Sequence, residues 1–338
     1  MYRPIGRRFT TALLLVGMAL SLHGAAQAAP GSAPERVAVR TVAVPLSVYD
    51  GNKSTKVGKL KFLSGIELKA DHVDFGGISG LVINKSGRRF LAITDKGRYI
   101  KGVFDESAPG VITQVKGVKI ARLSGLQGLL DNKKKQDAES IIDLSDGALT
   151  GPFLIAFERK HRVLRYGRIN GDPDSALALP GADTWVPSNG GMEGIVQLAD
   201  GRIMALTEDA RDEAGNIVGW IADGPQALPL SLQKIGQFKP TDMARLPNGD
   251  VLVLERSFSK ATGPGMQIRR IRAANITHRA ILDGPVLARL NRSANIDNME
   301  ALDVRVTADG RTLLYIMSDD NFNTPLQRTL LLVFELLN

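Results

Sequence analysis

The sequence has no cysteine, only four histidines, and aromatic residues at just 5% of the chain. The first absence removes disulfides, thiol nucleophiles and thiolate metal sites. The second leaves little for an imidazole-rich metal centre or a histidine-based triad, since beyond residue 28 only His72, His161 and His278 remain. The third leaves no stacking platform for single-stranded nucleic acid, and no basic recognition helix is visible. A nucleophile elbow is also missing, because Gly77-Ile78-Ser79-Gly80-Leu81 ends on the wrong residue for Gly-x-Ser-x-Gly. Amphipathic periodicity of helical length is nowhere evident.

What is present is a soluble globular composition, 43% apolar and 23% charged. The apolar run Ala12 to Leu22 follows Arg3, Arg7 and Arg8 and precedes Ala26-Gln27-Ala28. It is shorter than the about 20 residues that span a bilayer. The pattern is that of a secretory signal peptide over residues 1–28, with the mature chain starting near Ala29. A Sec route is expected; Arg7-Arg8-Phe9 also resembles a twin-arginine start. The expected location is therefore periplasmic or secreted, with no membrane span after cleavage. Loss of the three signal arginines takes the formal charge from +8 to +5. The remaining bases are scattered, and Lys133-Lys134-Lys135, between Asp131 and Asp137, reads as a solvated loop tip. No nucleic acid partner is expected, and the chain is expected to be a monomer.

Five segments share one grammar: a small or acidic start, an apolar strand, a Gly-containing turn, a second apolar strand and a charged end. They are Phe75 to Gly97, Asp137 to Lys160, Asn189 to Ala210, Pro240 to Phe258 and Asn298 to Asn321. The fourth turns at Pro247-Asn248-Gly249-Asp250 and the fifth at Asp309-Gly310, both hairpin signals. Further strand pairs follow each segment, so a unit holds about four strands, the size of a propeller blade. The repeats are spaced by roughly 50 to 60 residues. The expected fold is all-β, a β-propeller with five clear repeats and six blades favoured. An open ring would expose a sheet edge, so Lys59 to Lys69 and Arg328 to Leu337 are expected to complete one blade jointly. Residues 29–58 read as an N-terminal lead and degenerate blade, and residues 59–338 as the propeller.

Aligned on their charges, the units open on Ser79, Glu139, Glu193, Asp242 and Glu300. They close on Asp95, Glu158, Glu208, Glu255 and Asp319. In an antiparallel hairpin these two sets share one rim, which predicts up to nine carboxylates around the central channel. Such crowding is stable when cations bind between the carboxylates. Hard oxygen ligands point to calcium before zinc, with magnesium also suited. The expected metal ligands are Glu139, Glu193, Glu300, Asp95, Glu208 and Asp319. Glu193 and Glu158 are candidate catalytic groups, with Arg159, Arg256 and His161 as contacts for an anionic ligand such as a phosphate. Repeated acids at blade ends also accept hydrogen bonds from loop amides and tie blades together, and that reading stands beside the first. Gly76-Gly77 and Gly190-Gly191 read as tight entry turns, because no helix follows either.

The segments GGISGLVINKSGRRFLAITDKGR, FERKHRVLRY, NGGMEGIVQLADGRIMALTED, TDMARLPNGDVLVLERSFS and NMEALDVRVTADGRTLLYIMSDDNFNTPLQRTLLLVFEL resemble the bacterial phytase-like family labelled "esterase-like activity of phytase". The likeness runs from about Phe62 to Leu336, and SDDNFNTPLQRTLLL is its most specific part. It implies a propeller with repeated Asp and Glu and a phosphoesterase activity on a small phosphorylated substrate, a mono- or diester. Ser79 and Asp242 depart from the Glu of the other repeats, which implies an asymmetric site. Two other classes fit the same rim: a non-catalytic propeller that docks an envelope ligand or protein, and a metal-dependent lactonase.

Overall fold

The computed structural model describes residues 33–48, 55–126, 128–177, 186 and 190–337. The expected signal peptide lies outside them. Among the described residues, no helix is long and apolar enough to cross a membrane. The chain forms five blades arranged in a ring, antiparallel except where Ile281–Leu282 adds in parallel to the third. Their innermost strands are Ile78–Ile83, Ala138–Asp143, Met192–Gln197, Lys239–Arg245 and Asn298–Val306, and each contacts the next around the ring, the fifth returning to the first.

Both faces of a blade are covered by its neighbours, so the second strands read as unbroken apolar runs rather than as alternating ones. Phe153–Phe157 shows the consequence of the two-residue period. Phe153, Ile155 and Phe157 pack toward the first blade, while Leu154 and Ala156 pack toward the third. Five apolar clusters, one per blade interface, make up the core. Full burial of each Leu, Ile or Phe contributes about 1.5–3 kcal/mol, and this replaces the disulfides that the sequence lacks.

The ring closes as expected. Leu60–Lys69 pairs with the terminal strand Thr329–Leu336, which continues through Thr312–Asp319 to Asn298–Val306. The favoured sixth blade is not found among the described residues. Arg40–Ala43, the strand assigned to it, instead pairs with the outer edge of Leu60–Lys69, and Glu35–Arg36 caps the first blade. Both cover edges that would otherwise be open. The lysine run also differs from expectation. It forms a one-turn helix, Lys133–Gln136, whose first lysine reaches into the channel mouth.

Candidate active site

Every innermost strand carries one extra residue against its neighbour. The unpaired residue is Ser79, Glu139, Glu193, Thr241 or Glu300 in successive blades. Such a bulge bends the strand and re-aims one side chain. On the second strand, the residue that follows the partner of the pre-bulge residue is Asp95, Glu158, Glu208, Arg256 or Asp319. In the fourth blade the charge-based alignment is therefore one residue out of register. Thr241 and Arg256 hold the rim positions expected for Asp242 and Glu255. Asp242 is buried, accepting from Leu302 N at 2.8 Å and from Ser140 Oγ at 2.9 Å. Glu255 is buried within its blade against Arg269, with contacts of 2.6 and 2.8 Å.

The rim encloses a cavity of about 230 Å³ lined by eight carboxylates, Asp95, Asp137, Glu139, Glu158, Glu193, Glu208, Glu300 and Asp319. Lys133, Arg159 and Arg256 are the bases on its lining. All six expected metal ligands are in it, as are Glu158, Arg159 and Arg256. His161 is not on the lining. It packs beneath Gly191, where an added Cβ would meet its Cε1 at 2.2 Å. Sequence reasoning missed Asp137 and Lys133. Asp137 opens the second repeat two residues before Glu139, and its spacing from Lys133 is that of helical neighbours.

The bases are unevenly spent. Lys133 lies 2.8 Å from Asp95 Oδ2 and also pairs with Asp137, which Arg159 Nε contacts from the other side. Arg256 bridges Glu208 and Glu300. Glu158 accepts the Gly191 amide at 2.8 Å, and Asp319 accepts that of Asn321 at 2.6 Å. Glu139 and Glu193 take neither a hydrogen bond nor an ion pair from the described residues. Burial pushes both carboxyls well above their usual range. Repulsion from Glu193 adds to this at Glu139, and repulsion from Glu208 and Glu300 adds to it at Glu193. Burial likewise raises Asp319 well above its ordinary range and Glu300 to about 7.

Three of these groups come together closely enough for one ion. Asp137, Glu139 and Glu158 each offer an oxygen, and the three oxygens lie within 4.8 Å of one another. The donor set is all hard oxygen, which suits calcium or magnesium. Glu139 is the telling member: a half-buried carboxylate with no ion pair among the described residues ionises more readily when a cation arrives. Asp137 can contribute while paired, because each carboxylate oxygen has two lone pairs.

Other acids and hydroxyls tie blades together. Asp320 Oδ1 accepts from Gly77 N at 3.0 Å, Ser79 Oγ donates to Ala138 O at 2.5 Å, and Thr241 Oγ1 donates to Met299 O at 3.1 Å. Gly77 is required here. It has φ of 62°, and a Cβ would lie 2.3 Å from Phe322 Cε2 and 2.5 Å from Asp95 Oδ1.

Two solved structures match the chain at low identity. One is a crystal structure of a mitotic checkpoint complex, with 9% identity, coverage of 97% of this chain and 99% of that chain, and a TM-score of 0.40. The other is MPT-4, a mannose phosphorylase from Leishmania mexicana in complex with phosphate ion, with 12% identity, coverage of 78% and 85%, and a TM-score of 0.41. At these scores neither informs the site. No curated protein matches the sequence. The family profile "Phytase-like: Esterase-like activity of phytase" matches residues 73–322, a span that holds the whole acidic rim. The chain belongs to the phytase-like family.

Proposed function

We propose that this propeller hydrolyses a phosphate ester in the acidic cavity, with a divalent cation, calcium or magnesium, held by Asp137, Glu139 and Glu158. The observation that carries the reading is the meeting in one cavity of Glu139 and Glu193, half-buried carboxylates with no ion pair among the described residues, and the guanidinium of Arg256. When bound, the cation supplies Lewis-acid neutralisation of the phosphoryl oxygens.

The chain's own groups do the rest. Arg256 donates to a phosphoryl oxygen, held in place by Glu208 and Glu300, and Arg159 offers its terminal nitrogens from the second blade. Glu193, between the carboxylates of the second, third and fifth blades, accepts a proton from water as the water oxygen bonds to phosphorus. Burial and the nearby Glu208 and Glu300 raise this carboxyl, which makes it a stronger base than an ordinary carboxylate. The bond from phosphorus to the leaving oxygen breaks, and the proton passes from Glu193 to the departing alcohol. Lys133 holds Asp95 and Asp137 at the rim. His161, packed beneath Gly191, supports the amide that orients Glu158. Residues 1–28 would deliver the protein to the periplasm or the medium.

The test is a panel of phosphate mono- and diesters and lactones, run on purified protein of known metal content with and without chelator. Phosphate release that stops with chelator supports the reading. Lactone opening moves the activity to the lactonase class. Silence on both, with metal retained, makes the protein a binding propeller.

A further inference from the structure

A second cavity, of about 580 Å³, adjoins the acidic one and shares Arg256, Asn298 and Asn321 with it. Its volume falls within the about 300–1,000 Å³ of small-molecule sites. Its chemistry is the opposite of its neighbour's. Phe258 and Leu326 on its wall are 65% and 80% exposed, large apolar side chains left in water beside a polar site. Pro264 adds apolar surface, and Asn321, Asn323 and Gln327 supply neutral amides. Arg256, at the boundary, is the one base on its lining.

One wall is held in a conformation that unconstrained chain avoids. Asn321 and Phe322 have φ of 49° and 52°, the left-handed region that non-glycine residues rarely adopt. Asp319 and Asp320 secure them, accepting from Asn321 N at 2.6 Å and Phe322 N at 3.0 Å. Asn323 O then accepts from the amides of Leu326 and Gln327, each at 2.9 Å. The loop is thus anchored through a carboxylate of the acidic rim itself. This is the segment that stands out in the sequence as SDDNFNTPLQRTLLL.

We infer that the cavity walled by Phe258 and Leu326 receives the alcohol portion of the ester and selects an uncharged alcohol with a flat apolar face. The inference rests on the hydrolytic reading and specifies its substrate class. Phosphate at Arg256 places the scissile bond at the junction of the two cavities, with the alcohol toward the apolar wall. Further phosphates on that alcohol would meet Asp297 and no base except Arg256, so a polyphosphorylated inositol is disfavoured despite the family description. Water and the ester become phosphate and the free alcohol, as balanced above.

The test compares 2-phenylethyl phosphate, glycerol 1-phosphate and inositol hexakisphosphate on the metal-loaded full chain. The first two carry alkyl alcohols of similar acidity, so their difference reports binding rather than leaving-group reactivity. The phenylethyl ester is expected to lead in kcat/KM by about tenfold or more. F258A and L326A should each lower its kcat/KM several-fold through KM, and leave glycerol 1-phosphate within about twofold. Equal loss on both esters, or preference for inositol hexakisphosphate, overturns the inference. Calorimetric titration with 2-phenylethylphosphonate, which cannot be hydrolysed, separates the two claims. If no ester turns over but the phosphonate binds, and L326A weakens it about fivefold or more, hydrolysis alone is rejected and the selectivity stands. If the phosphonate fails to bind, or binds both variants as tightly as wild type, the cavity assignment is wrong.

Discussion

Arg256 Nε lies 2.6 Å from Glu300 Oε1 while its Nη2 lies 3.0 Å from Glu208 Oε1, so one guanidinium joins the carboxylates of the two blades that flank its own. It stands at the rim position that the other four blades give to an acid. The ring is thereby asymmetric, with a cation from the fourth blade where the others contribute carboxylates. A pseudosymmetric scaffold acquires one orientation for an anionic substrate.

Replacing Arg256 by Gln is expected to lower kcat/KM by about 100-fold or more, which is about 2.7 kcal/mol of transition-state binding. Glu208 and Glu300 would then repel without a bridge. The melting temperature should accordingly fall more at pH 8 than at pH 5. Steady-state kinetics and thermal melts at the two pH values check both halves. A variant with unchanged kcat/KM removes Arg256 from the site.

Glu193→Gln preserves size and hydrogen-bonding capacity but cannot take a proton. Activity should drop by about 10²–10⁴-fold, and the melting temperature at pH 7.5 should hold or rise as repulsion with Glu208 and Glu300 disappears. Full turnover in a folded variant would sink the role assigned to this residue.

Cation binding should stabilise the fold. Calcium at about 100 times its dissociation constant adds about 2.7 kcal/mol, read as a concentration-dependent rise in melting temperature that chelator reverses. The rise should shrink at pH 5, where protons compete for Glu139 and Glu158, both raised by burial. Asp137→Asn and Glu139→Gln should each abolish most of it. A rise that survives both substitutions would place the ion elsewhere.

Without metal, the pH dependence has a defined sign. Burial raises Glu300 and Asp303 to about 7 from ordinary values of 4.5 and 3.8. Each therefore binds its proton more tightly folded than unfolded. The stability this contributes is fully present below about pH 4 and is lost as pH rises through 7, on the order of a few kcal/mol per group. Asp303 accepts the Ile83 amide at 2.6 Å, which Asn can also do. Melts in chelator from pH 4 to 8 should show Glu300→Gln and Asp303→Asn gaining on wild type as pH increases. Parallel curves would mean that neither group titrates in that window.

Much of the fold was legible because its determinants are local. Turn glycines, doubly buried strands and a fixed repeat length are all visible in a string of letters, and the pairing of Leu60–Lys69 with Thr329–Leu336 followed from the need to leave no open edge. The sixth blade was overcounted because Arg40–Ala43 reads as a strand whether it founds a sheet or merely covers one. The rim was legible for Glu139, Glu193 and Glu300, but the fourth blade was aligned on its acids. Gly201 and Gly249, with φ of 90° and 91° in equivalent turns, would have set Thr241 opposite Glu193 and Arg256 opposite Glu208. Turn geometry constrains register, whereas charge does not.

The sequence by itself determined the hairpin repeat, the closed all-β ring and the crowding of acid at one end of it, because strand period and turn chemistry act over a few residues. Only the tertiary structure decided which acids share the cavity and which are tied off. Asp137 enters it beside Glu139 and Glu158, Glu255 leaves it for Arg269, and Arg256 takes an acid's place. Those outcomes depend on a single bulged residue per innermost strand and on ion pairs between blades, which one-residue shifts in register reverse and no local pattern records.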